Sequence, residues 1–162
     1  MSGVLLVCHA NTCRSVMAHA LLERMLAERG LGGRVRVRSA GVSPYARDGM
    51  LASLDARLVL KEIGIRLEED TIVSTDLKTH RNLLGEAAVV VTMTAEQKRL
   101  VAALLADGPP MLTLRELAGE SGDIGDPVGQ GEDTYRACRD EIARCLDKGF
   151  PDLLGRMGAL PA

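Results

Sequence analysis

Two short stretches of this chain are almost wholly apolar: Gly3-Val4-Leu5-Leu6-Val7, and residues 87–93 with Val89-Val90-Val91 at their centre and Thr92 the one polar residue. Runs of that length, apolar at odd and even positions alike, suit strands buried on both faces, as in a parallel sheet covered by helices. The intervening segments agree with this. Residues 16–29 carry Met17, Leu21, Leu22, Met25 and Leu26 at helical spacing and stop at Gly30. Arg34-Val35-Arg36-Val37-Arg38 alternates with period two, the pattern of an edge strand with one polar face, and Ser39-Ala40-Gly41 breaks it. Residues 48–63 read as a helix ended by Gly64, and residues 76–84 as a shorter one. Thr94 reads as the N-cap of a helix through Ala106, with Gln97 as its capping-box partner. After the Gly108-Pro109-Pro110 turn, residues 111–114 are the fourth strand candidate. A Gly- and Asp-rich loop covers residues 119–131, and residues 132–147 form the last helix, with Gly149 and Pro151 marking its end and a loosely packed tail beyond. Strands alternating with helices define an α/β class.

At 162 residues the chain is sized for a single domain spanning residues 1–162, with enough core to fold without disulfides. Only 2% of residues are aromatic, so the core is aliphatic and a stacking platform for single-stranded nucleic acid is excluded. A net charge of −2 likewise speaks against nucleic acid or an anionic membrane as partner. The first apolar run is too short for a signal peptide or a membrane span, which points to a soluble cytoplasmic protein. In a reducing compartment Cys8, Cys13, Cys138 and Cys145 are expected as thiols.

Cys8-His9-Ala10-Asn11-Thr12-Cys13-Arg14-Ser15 lies between the first strand and the first helix, where open α/β sheets present ligands to a helix N-terminus. The spacing of Cys8 and Arg14 recurs at Cys138 and Arg144, but there the amides belong to a continuous helix. In the first copy, amides of residues 9–14 are free to curl around a tetrahedral oxyanion. His9, Ala10, Asn11, Thr12, Cys13, Arg14 and Ser15 are therefore the candidate phosphate-binding residues. Cys8, at the base of that ring, is the candidate nucleophile, because amides, a guanidinium and the Ser15 hydroxyl all stabilise negative charge on sulfur. Arg14 supplies a planar fork matched to two phosphate oxygens. A departing group also needs a proton. In Asp123-Ile124-Gly125-Asp126-Pro127-Val128-Gly129, Asp126 is the candidate general acid; the alternative is that Asp-Pro and Gly simply make a turn.

These residues resemble the low-molecular-weight protein tyrosine phosphatase family, whose motif is Cys-x-Gly-Asn-x-Cys-Arg-Ser after strand one with a late Asp-Pro followed by aromatic and Gly residues. The likeness extends through Arg38-Ser39-Ala40-Gly41-Val42, Val90-Val91-Thr92-Met93-Thr94 and Leu112-Thr113-Leu114-Arg115-Glu116, up to about Leu146. It implies a four-stranded parallel sheet in order 2-1-3-4, helices on both faces and a phosphate-binding loop after the first strand. It also implies hydrolysis of a phosphorylated protein through a phosphocysteine on Cys8, with Arg14 and Asp126 catalytic, no cofactor or metal, and a monomer or weak dimer. Asn11, Ser15 and Ser39 are then supports of the loop.

Within the family, Asn11-Thr12-Cys13-Arg14-Ser15 is most similar to the bacterial protein arginine phosphatases, which carry Thr where tyrosine phosphatases usually have an aliphatic residue. The implied substrate is protein phosphoarginine, with phosphotyrosine as the alternative. Three positions depart from the motif. Ala10 stands at the usual Gly, so its Cβ must be fitted into a conformation Gly adopts freely. His9 adds a titratable group beside the nucleophile. Val128 replaces the aromatic after Asp-Pro, leaving Tyr45 as the aromatic expected near the pocket; Thr12, Tyr45 and Val128 form the specificity wall. Cys13 is either a packed small hydrophobe or a redox partner that closes a disulfide with Cys8.

Other chemistries fit less well. Arsenate reductases relay a disulfide through further cysteines in a mobile segment, and residues 67–93 contain none. Cys138 and Cys145 read instead as one packed side of the last helix. A metal site of Cys8, His9, Cys13 and His19 matches no zinc spacing. A non-catalytic oxyanion-binding module would have no use for Cys8, Arg14 and Asp126 together.

Overall fold

A computed structural model describes residues 2–159; residues 1 and 160–162, the ends of the expected 1–162 domain, lie outside the described residues. Strand β1 (Ser2–Cys8) pairs in parallel with β2 (Val35–Gly41) on one side and β3 (Val89–Thr92) on the other, and β4 (Met111–Thr113) joins β3, giving the order β2-β1-β3-β4. The period of two along a strand divides the apolar runs between two cores. Val4, Leu6, Cys8, Val89 and Val91 face the larger one, with residues of α1 (Arg14–Glu28), α2 (Leu54–Lys61), α5 (Leu114–Leu117) and α6 (Glu132–Arg156). Leu5, Val7 and Val90 face the smaller, with Leu83 and Leu84 of α3 (Asn82–Glu86) and Val101 of α4 (Ala95–Ala102). The resulting single α/β domain has helices on both faces, and β2 is an edge strand with Arg36 and Arg38 exposed. The Thr94–Gln97 capping box starts α4 as its sequence demands.

The ends of several elements differ from the sequence reading. Gly41 and its predecessors do not break β2: the strand continues through Gly41 because β1 pairs with it as far as Cys8. Residues 48–53 are not helical. Asp48 instead accepts from the Asp76 amide at 2.7 Å and meets His80, Gly49 has φ +80°, and Ser53 caps α2. The helix expected over residues 76–84 is split into a 3-10 turn, Leu77–Thr79, and α3.

The largest difference is near the C-terminus, where α6 runs on through Gly149 and Pro151 to Arg156, so that among the described residues the segment after Gly149 is helix rather than a loose tail. Pro151 removes one helix hydrogen bond, but Phe150, Leu153, Leu154 and Met157 are all buried, and that burial outweighs the loss. Gly149 is there for contact: a Cβ on it would lie 2.6 Å from Leu117 Cγ and 2.7 Å from the Leu117 carbonyl oxygen, so only glycine lets α6 pack this closely on α5.

Candidate active site

The loop between β1 and α1 sits at the carboxyl edge of the sheet, directly before the N-terminus of a 15-residue helix. The amides of Ala10, Asn11, Thr12 and Cys13 donate to no backbone carbonyl, so they remain available to an anion beside the positive end of α1. Cys8 is buried at the base, and its Sγ lies 3.0 Å from Ser15 Oγ. Asn11 donates from Nδ2 to the same oxygen at 2.7 Å and accepts from the Thr75 amide at 3.0 Å through Oδ1. Because Asn11 occupies Ser15 Oγ as donor, the Ser15 hydroxyl hydrogen is left to point at the sulfur. Among the described residues Asn11 is the one non-glycine residue with positive φ, at 60°, a region Asn tolerates better than most side chains.

The expected strain at Ala10 is therefore displaced. Ala10 has no positive φ, and the glycine that the loop requires stands opposite it, at Gly41. A Cβ on Gly41 would come within 2.6 Å of the His9 carbonyl oxygen and 2.8 Å of the Ala10 carbonyl carbon. Ser39, expected to brace the loop, meets His19 instead: its Oγ is 2.8 Å from Nδ1 of that ring, whose Nε2 is 2.6 Å from Glu23. Among the described residues no group of three His, Cys, Asp or Glu side chains is placed to hold a metal ion.

Arg14 is buried and donates from Nη1 to the Ile124 carbonyl at 2.7 Å, while its Nη2 is 3.8 Å from Asp126 Oδ2. The two loops are thus joined through one guanidinium. Asp126 is half-exposed, and its Oδ1 accepts from the Val128 amide at 3.1 Å. The neighbouring Asp123 is otherwise engaged: its Oδ1 caps α4 through the Ala95 amide at 2.9 Å. Val128 and Tyr45 are exposed at 57% and 65%, so neither is a packed wall in this structure. Tyr45 lies two residues beyond Ser43, whose amide donates to the His9 carbonyl at 3.1 Å and whose carbonyl accepts from Lys78. His9 is half-buried, with Nδ1 inside and unpartnered. Half-buried Thr12 is tied to α2 by the Ser53 amide, which donates to its carbonyl at 2.8 Å.

Cys13 and Cys8 are both unpaired thiols. Burial first, and then the nearby Cys138 and Cys8 sulfurs, push the Cys13 thiol well above the ordinary range. Burial also pushes Cys138 up to about 12, with Arg14 opposing. Cys138 packs in the larger core, as its place on α6 predicts, and its Sγ also lies 3.8 Å from the Gly125 carbonyl in the loop of Asp126. Thr75, Ser53 and Cys138 touch the two loops of the site and carry no local pattern by which sequence could single them out. Gly41 is the exception, since a glycine inside a strand signals close backbone approach.

An anion loop at a helix N-terminus, a thiol at its base and an acid brought in from a second loop define a cysteine-dependent phosphatase site. Residues 3–155 match the low molecular weight phosphotyrosine protein phosphatase family, and the chain belongs to that family. A protein-arginine-phosphatase of Geobacillus stearothermophilus is 40% identical over 147 residues, covering 90% of this chain and 91% of the relative. A low molecular weight protein-tyrosine-phosphatase PtpB of Staphylococcus haemolyticus is 29% identical over 142 residues, covering 88% and 93%. A solved YwlE arginine phosphatase, a cysteine-to-serine mutant with phosphorylated active site serine, is 33% identical with a TM-score of 0.82, covering 94% of this chain and 95% of that one.

Proposed function

We propose that this protein hydrolyses phosphoarginine in proteins through a phosphocysteine formed on Cys8. The observation that carries the reading is the double engagement of Arg14, which belongs to the anion loop and lies 3.8 Å from Asp126. The Cys8 thiolate, with the Ser15 hydroxyl 3.0 Å away, attacks phosphorus in line as the P–N bond breaks. Asp126 gives its proton to the departing guanidino nitrogen. The carboxylate so formed then takes a proton from water, whose oxygen attacks phosphorus, releasing phosphate and regenerating the thiolate. Throughout, Arg14 and the amides of the loop hold the equatorial oxygens.

The arginine preference is supported by Thr12 and by the name of the relative at 40% identity. A polar side chain there accommodates a phosphoramidate, where a β-branched aliphatic would dry the space. Phosphotyrosine is the second reading, favoured by the PtpB relative at 29% identity. The described residues contain no helix long and apolar enough to cross a membrane, and four unpaired thiols suit the reducing cytoplasm.

The test compares kcat/KM for phosphoarginine and phosphotyrosine peptides in the wild type and in Thr12→Ile. The wild type should prefer phosphoarginine, and Thr12→Ile should move the ratio toward phosphotyrosine. A wild-type preference for phosphotyrosine sinks the arginine assignment, whereas turnover by Cys8→Ser sinks the phosphocysteine route.

A further inference from the structure

Asp126 has few contacts of its own: the Val128 amide at 3.1 Å and Arg14 at 3.8 Å. Its position is therefore set by the backbone leading to it, which has no helix or strand and contains Gly119 and Gly122 at φ +77° and +106°. Such a segment is mobile unless fastened. The fastenings are specific. The Ile124 amide donates to the Met93 carbonyl at 2.9 Å, Asp123 caps α4, and Arg14 holds the Ile124 carbonyl. Cys138 Sγ lies 3.8 Å from the Gly125 carbonyl, and a further fastening comes from Arg115 on α5, remote from the anion loop in sequence.

Arg115 uses three parts of its guanidinium on two segments, the loop before Asp126 and α6. Nε donates to the Asp123 carbonyl at 3.0 Å, Nη1 meets Glu120 at 3.0 Å, and Nη2 meets Glu141 on α6. Its stem closes against the loop as well, since a Cβ on Gly122 would lie 3.4 Å from Arg115 Cδ. Glu120 is itself held by Arg144 at 2.6 Å and Lys148 at 3.3 Å, so the start of the segment is pinned to α6. An ion pair exposed to water contributes little to stability. A planar fork joining three elements does something else: it removes freedom from the backbone between Glu120 and Asp123.

We propose that Arg115 is a positioning residue for Asp126, holding the loop so that the carboxyl stands at the leaving group. This rests on the reading of Asp126 as general acid. Displacement of a catalytic group by about 1 Å costs on the order of 10²-fold in rate. Proton donation matters most for poor leaving groups, so loss of Arg115 should be felt in proportion to leaving-group basicity, which a general loosening of the fold does not produce.

The experiment measures kcat/KM for aryl phosphates with phenols of rising basicity, together with Ki for inorganic phosphate. It is run on the wild type, Arg115→Met, Arg115→Lys, Asp126→Asn and the Arg115→Met/Asp126→Asn double variant. Arg115→Met should lose roughly 10- to 100-fold on the poorest leaving groups and much less on the best, with Ki for phosphate unchanged. Arg115→Lys, which keeps the charge but not the fork, should show the same trend and carries the comparison if Arg115→Met does not fold. In the Asp126→Asn background, Arg115→Met should cost nothing further. Equal losses across the series with weakened phosphate binding, or an undiminished loss in the double variant, overturn the proposal. If Asp126→Asn by itself leaves the leaving-group dependence untouched, the general-acid reading fails, and the role of Arg115 falls with it.

Discussion

Asn11 donates to Ser15 Oγ at 2.7 Å, and that oxygen lies 3.0 Å from the sulfur of Cys8. Two polar side chains, one in the loop and one in the first turn of α1, thus direct a hydroxyl hydrogen at the candidate nucleophile. Ser15→Ala should lower kcat by about 10-fold or more, the loss expected when one charge-assisted hydrogen bond of about 1.5–3 kcal/mol is removed. Asn11→Ala should reduce stability too, by about 1–3 kcal/mol, because it places Ala at positive φ and leaves the Thr75 amide without its acceptor. Chemical denaturation alongside steady-state kinetics checks both; a fully stable Asn11→Ala enzyme contradicts the account.

Asp126→Asn removes the proton donor without removing volume. It should slow turnover by roughly 10²- to 10⁴-fold while phosphate still binds. Arg14→Lys should lower kcat/KM by on the order of 10²-fold or more, since an ammonium cannot hold both the Ile124 carbonyl and an equatorial oxygen pair. Single-turnover kinetics and phosphate inhibition distinguish the two: weakened phosphate binding belongs to Arg14→Lys alone.

Gly41 and Gly149 are both required by close contact, in places with different consequences. Either change to Ala should cost about 1–3 kcal/mol, the usual penalty of overpacking. Gly41→Ala should also depress activity, because the atoms it strikes are the backbone of His9 and Ala10. Gly149→Ala should leave kcat near the wild-type value in whatever fraction folds, because its clash is with Leu117. Activity per folded molecule is the deciding measurement.

Glu120 has its carboxyl held down to about 2, chiefly by the hydrogen bond from Arg144 and then by Lys148. A folded-state value below the unfolded one adds stability that is present above about 4.5 and is lost as pH falls toward 2. Glu120→Gln should flatten the acid limb of the stability curve in that window and leave neutral pH less affected. Urea midpoints across the window test this, and an unchanged slope excludes the role.

Buried thiols act in the opposite direction at high pH. Cys138 is pushed up to about 12, so the unfolded chain ionises this thiol near 9 while the folded one does not, and stability should fall from pH 9 upward. Cys138→Ala should reduce that fall. Thermal midpoints between pH 8 and 11 provide the check.

Much of the anion loop was legible in sequence because its parts are neighbours. Cys8 ends β1 and Arg14 and Ser15 open α1, within eight residues of one another, and their chemistry follows from residue type and place. The support attributed to Ser39 was not legible, since a hydroxyl at the end of β2 has several neighbours and only packing selects His19. The same holds for the positive φ, which falls on Asn11 rather than at Ala10 because Gly41 and Thr75 approach the loop from other elements.

The sequence by itself determined the alternation of buried strands and helices, the α/β class and the position of the oxyanion loop, because local periodicity and loop chemistry reside in consecutive residues. Tertiary structure alone decided the rest. It joined Arg14 to the Ile124 carbonyl across 110 residues, brought Asp126 beside it, and carried α6 past Gly149 and Pro151. The reason is common to all three: burial and hydrogen-bond partners drawn from distant segments outweigh local preferences of about 1–3 kcal/mol.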